Sequence, residues 1–235
     1  MIAKQETTYY DVVGIGNAIV DVLAKVGEGF LKERNLPKGG MTLVDAVTAG
    51  KIYADLVPER EVPGGSAANT VAGLASLGGA PAFIGKIHDD ELGQEFTRDI
   101  GAAGVDFFTQ PLNEGPVTGR SISPVTMDLP TPPLPLIMAT TFLMLESALG
   151  ASKKLSVEDI DENIIKASKI TYIEAYLWDE DCDKEAIVKA AEIAHSYNRD
   201  VAFSLSDKSC VDRHREEFLN FIKNHVDILF GNEDE

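Results

Sequence analysis

Several chemistries lack their raw materials in this chain. Its 235 residues hold only two cysteines, Cys182 and Cys210, in no metal-binding spacing and with no apolar signal core in the polar stretch Met1–Tyr10. A disulfide framework and a cysteine zinc site are therefore not expected, and reduced thiols in a cytoplasmic setting are. The four histidines, His88, His195, His214 and His225, are scattered, and no nucleophile–histidine–acid arrangement stands out. Basic residues are outnumbered, 21 Lys and Arg against 38 Asp and Glu, for a formal net charge of −17. That balance argues against a nucleic-acid backbone as partner, and a phosphorylated ligand would need a local cation or metal to offset repulsion. Long apolar runs are also absent. Leu136–Leu145 includes two threonines and is too short to span a bilayer, so a soluble protein with no membrane partner is expected.

What is present describes an ordinary globular protein, with 44% hydrophobic and 25% charged residues. Strands are expected at 12–16, 19–26, 41–44, 81–86, 105–108, 117–125, 170–175, 201–205 and 226–230. Helices are expected at 46–56, 90–102, 183–197 and 211–224, with a thin helix following the glycine pair within 63–78. Strands alternating with amphipathic helices predict βαβ units and a mostly parallel sheet, with the early strands forming a small appended sheet. Pro130, Pro132, Pro133 and Pro135 rule out regular structure locally, so 127–148 reads as a Pro-rich loop running into a short buried or partner-facing segment.

The most informative stretch is Pro63-Gly64-Gly65-Ser66-Ala67-Ala68-Asn69 and its continuation to Gly78. A glycine pair opens a thin helix of small residues that can lie close to a sheet or a ligand. Its first turn offers backbone N–H groups suited to hydroxyls or phosphates, or it is simply a tightly packed helix after a turn. Gly14-x-Gly16 after the first strand invites a dinucleotide reading, but the third glycine is replaced by Ile19 and a strand follows instead of a helix. Asp21 lies within the apolar run Ile19–Leu23; with Asn17 it suits the paired hydroxyls of a polyol, or it faces solvent. Asn232 and Glu235 follow the last strand, where they could order a hydrated Mg²⁺ or cap a helix.

Together these residues resemble the ribokinase-like (PfkB) family of carbohydrate and nucleoside kinases, and the adenosine kinases most within it. Gly14-Ile15-Gly16-Asn17 with Asp21 resembles its N-terminal substrate motif. Pro63–Gly78 resembles its first signature, completed by Phe83-Ile84-Gly85-Lys86 through Gly93. Gly115–Gly119 resembles the strand entering the substrate pocket, and Asn232-Glu233-Asp234-Glu235 the family's Asn-x-x-Glu motif. The resemblance implies one ribokinase-like α/β domain over 1–235, a mostly parallel sheet flanked by helices, with a small β lid from about 17–26, 41–45, 60–63 and 115–126. It implies a sugar or nucleoside site made by Asn17, Asp21, Gly64, Gly65, Ser66 and Asn69, with Met41 and Leu43 near the base and Tyr176 or Leu177 packing on it. ATP and Mg²⁺ would be served by Asn232 and Glu235, without a direct protein metal ligand.

Dimerisation through the lid is a further expectation, with 136–145 as a candidate surface. The family's Gly-Ala-Gly-Asp signature, which carries the catalytic base and the anion hole, lies C-terminal of Asn-x-x-Glu and does not occur in these residues. The resemblance thus implies that the base lies beyond Glu235, that the ATP-binding part is missing, and that these residues alone are inactive. No arginine occurs between Arg120 and Arg199, so the 127–148 segment lacks the arginine that relatives carry near the phosphates. The alternative reading is a non-catalytic sugar- or nucleoside-binding module.

Overall fold

A computed structural model describes residues 9–36, 41–44, 46–125, 142–145 and 149–235. In chain order the strands are β1 (Tyr10–Ile15), β2 (Ile19–Lys25), β3 (Met41–Val44), β4 (Arg60–Gly64), β5 (Pro81–Ile84), β6 (Asp106–Phe107), β7 (Gly119–Val125), β8 (Phe142–Leu145), β9 (Ser168–Glu174), β10 (Asp200–Ser204) and β11 (Ile228–Phe230). The helices are α1 (Glu28–Glu33), α2 (Ala46–Ala54), α3 (Ser66–Ser76), α4 (Glu91–Ala102), α5 (Glu162–Ala167), α6 (Asp181–Ser196) and α7 (Lys208–His225).

Six strands form a wholly parallel sheet in the order β11-β10-β9-β1-β5-β6. Its central strands read as apolar runs because helices cover both faces. On one face α5, α6 and α7 enclose Val13, Ile15, Ile173, Trp178, Phe203 and Phe218. On the other, α3 and α4 cover Phe83 with Ala67, Val71, Phe96 and Ile100. The Phe83 and Phe96 rings lie 6.0 Å apart and neither ring is exposed; truncating either to alanine would cost about 3–5 kcal/mol. Asp side chains cap the starts of α4 and α7. Asp90 accepts the Gly93 N–H at 2.9 Å for α4, and Asp207 accepts the Cys210 N–H at 2.9 Å for α7.

The second sheet has five strands in the order β3-β8-β7-β2-β4, and α1, α2 and the residues just after each pack on it through Leu31, Leu36, Ile52 and Leu56. The two sheets join where β1 turns through Gly16-Asn17-Ala18 into β2, and where β4 runs straight into α3. A strand does follow the first glycine turn, which removes the dinucleotide reading.

Two features depart from the sequence reading. Phe142–Leu145, expected as a short buried or partner-facing segment, is a strand lodged between β3 and β7 of the small sheet. The rest of the expected Pro-rich segment, residues 127–141 and 146–148, lies outside the described residues. The short helices α1 and α5 were not anticipated, because six residues give too few turns for a periodic apolar pattern. Among the described residues no helix is long and apolar enough to cross a membrane.

Candidate functional site

The junction of the two sheets gathers most of the expected residues. Gly65 has φ +96°, and a side chain there would run into the Asn17 carbonyl, so only glycine lets α3 begin against the β1–β2 turn. Gly64 faces Asp21 so closely that a Cβ at 64 would overlap the carboxylate. Asn17 is buried, whereas Ser66 and Asn69 lie exposed on the first turns of α3. Ala67 and Ala68 are buried, which lets the thin helix sit directly on the sheet. Asn17, Asp21, Gly64, Gly65 and Ser66 therefore meet at one place, with Asn69 one turn along.

Asp21 pairs in register with Ser121 of β7 and bonds to its side chain. Burial outweighs that bond and pushes the carboxyl up to about 6. The solvent-facing alternative for Asp21 thus fails: the side chain is largely desolvated, held by one hydroxyl, and leaves acceptor capacity for others.

The start of α3 is not left open. Glu174, at the carboxyl end of β9 and only 3% exposed, bonds to the Ala67 N–H and the Ser66 side chain. The Tyr172 hydroxyl donates to the same carboxylate at 3.1 Å. Burial pushes Glu174 upward despite these donors. The expectation of free N–H groups at this helix start is corrected accordingly, since a carboxylate occupies part of the positive end of the dipole. Glu174 was missed in the sequence. The available signal was an acid closing the apolar strand Ile170–Ile173, where ligands gather in parallel sheets.

The remaining expected residues are placed unevenly. Tyr176 lies in a 3-10 turn, Ala175–Asp179, half-buried, with its hydroxyl donating to the Ser206 carbonyl at 3.4 Å. Leu177 is 1% exposed within the main core, so it offers no face to a ligand. Met41 and Leu43 pair with Phe142 and Met144 on β8. Their strand is three places from β2 across the small sheet, roughly 14 Å at about 4.8 Å per strand.

Asn232 and Glu235 engage each other. The Asn232 N–H and side-chain amide donate to Glu235 at 3.1 and 2.9 Å, and the Asn232 oxygen accepts the N–H groups of Asp234 and Glu235. This is the bonding pattern of a helix cap. One carboxylate and one amide suit ordering water about a Mg²⁺ ion better than holding it directly. No cluster of three or more His, Cys, Asp or Glu able to hold a metal occurs among the described residues.

The Gly85–Gly93 motif has a structural part. Asp90 accepts the Gly93 N–H and the Thr118 hydroxyl (2.6 Å) on one oxygen and the Thr118 N–H (2.8 Å) on the other. It thereby ties α4 to the entry of β7.

Residues 44–127 match the pfkB family carbohydrate kinase domain. Among solved structures, the chain is similar to adenosine kinase from Sinorhizobium meliloti, with 45% identity, TM-score 0.81, and coverage of 96% of this chain and 66% of that one. It is similar to a probable sugar kinase from Rhizobium etli CFN 42, with 40% identity, TM-score 0.82, and coverage of 97% and 66%. Among curated relatives, 5-dehydro-2-deoxygluconokinase of Lacticaseibacillus casei is 26% identical over 96% of this chain and 61% of its own length. The chain thus spans somewhat less than two thirds of the relatives it matches. With the glycine pair, the thin helix and the two-sheet junction in place, the chain belongs to the pfkB family of carbohydrate kinases.

Proposed function

We propose that this chain forms the acceptor-binding portion of an ATP-dependent kinase that phosphorylates a primary hydroxyl of a sugar or nucleoside. The observation that carries the reading is the meeting of Asn17, Asp21, Gly64 and Gly65 at the carboxyl side of β1, under the start of α3. Asp21 accepts two adjacent hydroxyls, and the absent side chains at 64 and 65 let the sugar approach the backbone. Asn69, exposed on α3, supplies a further polar contact, and Glu174 faces the same helix start. Tyr176 gives a planar base an aromatic face. Adenosine is the first candidate substrate, with another ribosyl compound or a hexose second; the likeness to an adenosine kinase, a sugar kinase and a 5-dehydro-2-deoxygluconokinase supports that range.

Asn232 and Glu235 would order water around a Mg²⁺ ion, which when bound with ATP neutralises phosphate charge. Since Gly-Ala-Gly-Asp does not occur in these residues, they bind acceptor but transfer no phosphoryl group by themselves. A non-catalytic sugar- or nucleoside-binding module shares this site, and turnover by a form carrying that motif separates the two. A thermal-shift panel of adenosine, inosine, ribose and fructose tests the acceptor site. Stabilisation by at least one is expected; no shift with any of the four contradicts the reading.

A further inference from the structure

The 3-10 turn Ala175–Asp179 connects Glu174, the last residue of β9 and a partner of the α3 start, to α6. Short 3-10 segments have poor internal hydrogen bonding, so outside contacts decide where their side chains sit. Helix α6 and Phe203 of β10 pack against this turn, while its side-chain hydrogen bonds among the described residues run to α7 and the turn before it. The Tyr176 hydroxyl donates to the Ser206 carbonyl at 3.4 Å, and Ser206 itself has φ +68°. Trp178 Nε1 donates to Glu217 at 2.7 Å. Asp179 is gripped by two residues: Arg213 donates through two guanidinium nitrogens at 3.2 and 3.1 Å, and His214 Nε2 lies 2.7 Å away.

This grip coincides with a break in α7. His214 has φ −123° and ψ 19°, outside helical values. At this break two consecutive residues reach one carboxylate. Burial would raise Asp179, yet the bonds from His214 and Arg213 hold it below the usual carboxylate range. A charge-assisted fork of this kind fixes direction as well as distance. Leu177 and Trp178 are packed in the core, so the two ends of the turn are where its setting can vary.

We propose that Asp179, held by Arg213 and His214 at the break in α7, is a positioning residue that sets the Tyr176 ring and so favours acceptors bearing a planar base over bare sugars. The inference rests on the acceptor-site reading above. It concerns discrimination between acceptors, whereas Asp21 and the glycine pair are assigned above to the hydroxyls that adenosine and ribose share.

The test is calorimetric titration of the full 235-residue chain with adenosine and, separately, with ribose. Asp179→Asn and Arg213→Met are compared with Asp212→Asn, which removes the exposed Lys208 pair on the same helix. Asp179→Asn and Arg213→Met are expected to weaken adenosine about three- to tenfold while ribose stays within about twofold. Asp212→Asn is expected to change neither. If adenosine and ribose weaken together, or adenosine binding is unchanged in both grip variants, the positioning role is overturned while the acceptor site stands. If the unsubstituted chain binds neither, the acceptor-site reading falls and the inference with it. The single tryptophan, Trp178, adds a local readout, since its emission should shift in the grip variants and not in Asp212→Asn.

Discussion

The carboxylate of Asp21 occupies the space that a side chain at Gly64 would need. These two residues lie on adjacent antiparallel strands, β2 and β4, with Asp21 opposite Val62 and Gly64 opposite Ile19. The absence of a methyl group at 64 is therefore a condition for the acid's position. Gly64→Ala is expected to displace Asp21, lower stability by about 1–3 kcal/mol and remove acceptor binding. Chemical denaturation and a thermal-shift titration check both parts.

Asp21 should also reveal a conflict between stability and binding. Its carboxyl is raised to about 6 by burial, so at neutral pH the charged form carries a cost of roughly 1–3 kcal/mol. Asp21→Asn keeps the shape and removes the charge, and the melting temperature at pH 7 is expected to rise. A fall in melting temperature would show that Asp21 is stabilising where it sits.

The same group gives binding a pH dependence with a definite sign. A carboxyl raised on folding contributes stability that is complete below its ordinary range and lost as pH rises through its folded value, about 6. Sugar hydroxyls donate to the charged form, so binding should favour deprotonation. Acceptor affinity is therefore expected to increase between pH 5 and pH 7.5 (about tenfold for a single proton released), with proton release seen as a buffer-dependent binding enthalpy. Asp21→Asn should abolish the trend.

Lys86 and Asp159 form an ion pair at 2.5 Å with side chains only 10% and 8% exposed. Removing one partner strands a buried charge. Lys86→Met alone is expected to cost about 3–5 kcal/mol, and Lys86→Met with Asp159→Asn to recover much of that loss. Urea unfolding of the three forms gives the comparison.

The legible parts of the fold were those with strong local signals. Val12–Gly16, the small-residue helix after Pro63 and the Leu92/Phe96/Ile100 spacing announce their elements, and the glycine pair announces a close approach. Asp21 was legible as an anomaly because an acid stood among Ile19, Val20, Val22 and Leu23. Glu174 was not, because its partners Ser66 and Ala67 lie more than 100 residues earlier and only the β1–β9 pairing brings them together. Leu177 and Tyr176 looked interchangeable because a 3-10 turn has neither strand alternation nor helical period; packing beside Trp178 separates them. The Asp179–Arg213–His214 grip depends on a helix break that no glycine or proline marks.

The central claim is that Asp21 receives the acceptor's hydroxyls, and one titration tests it most directly. Adenosine is titrated calorimetrically at pH 7.5 into the 235-residue chain and into its Asp21→Asn form, with both shown to be folded by circular dichroism. Saturable binding to the unsubstituted chain and at least about a tenfold loss in Asp21→Asn is the predicted result. Equal binding by the two forms would contradict it.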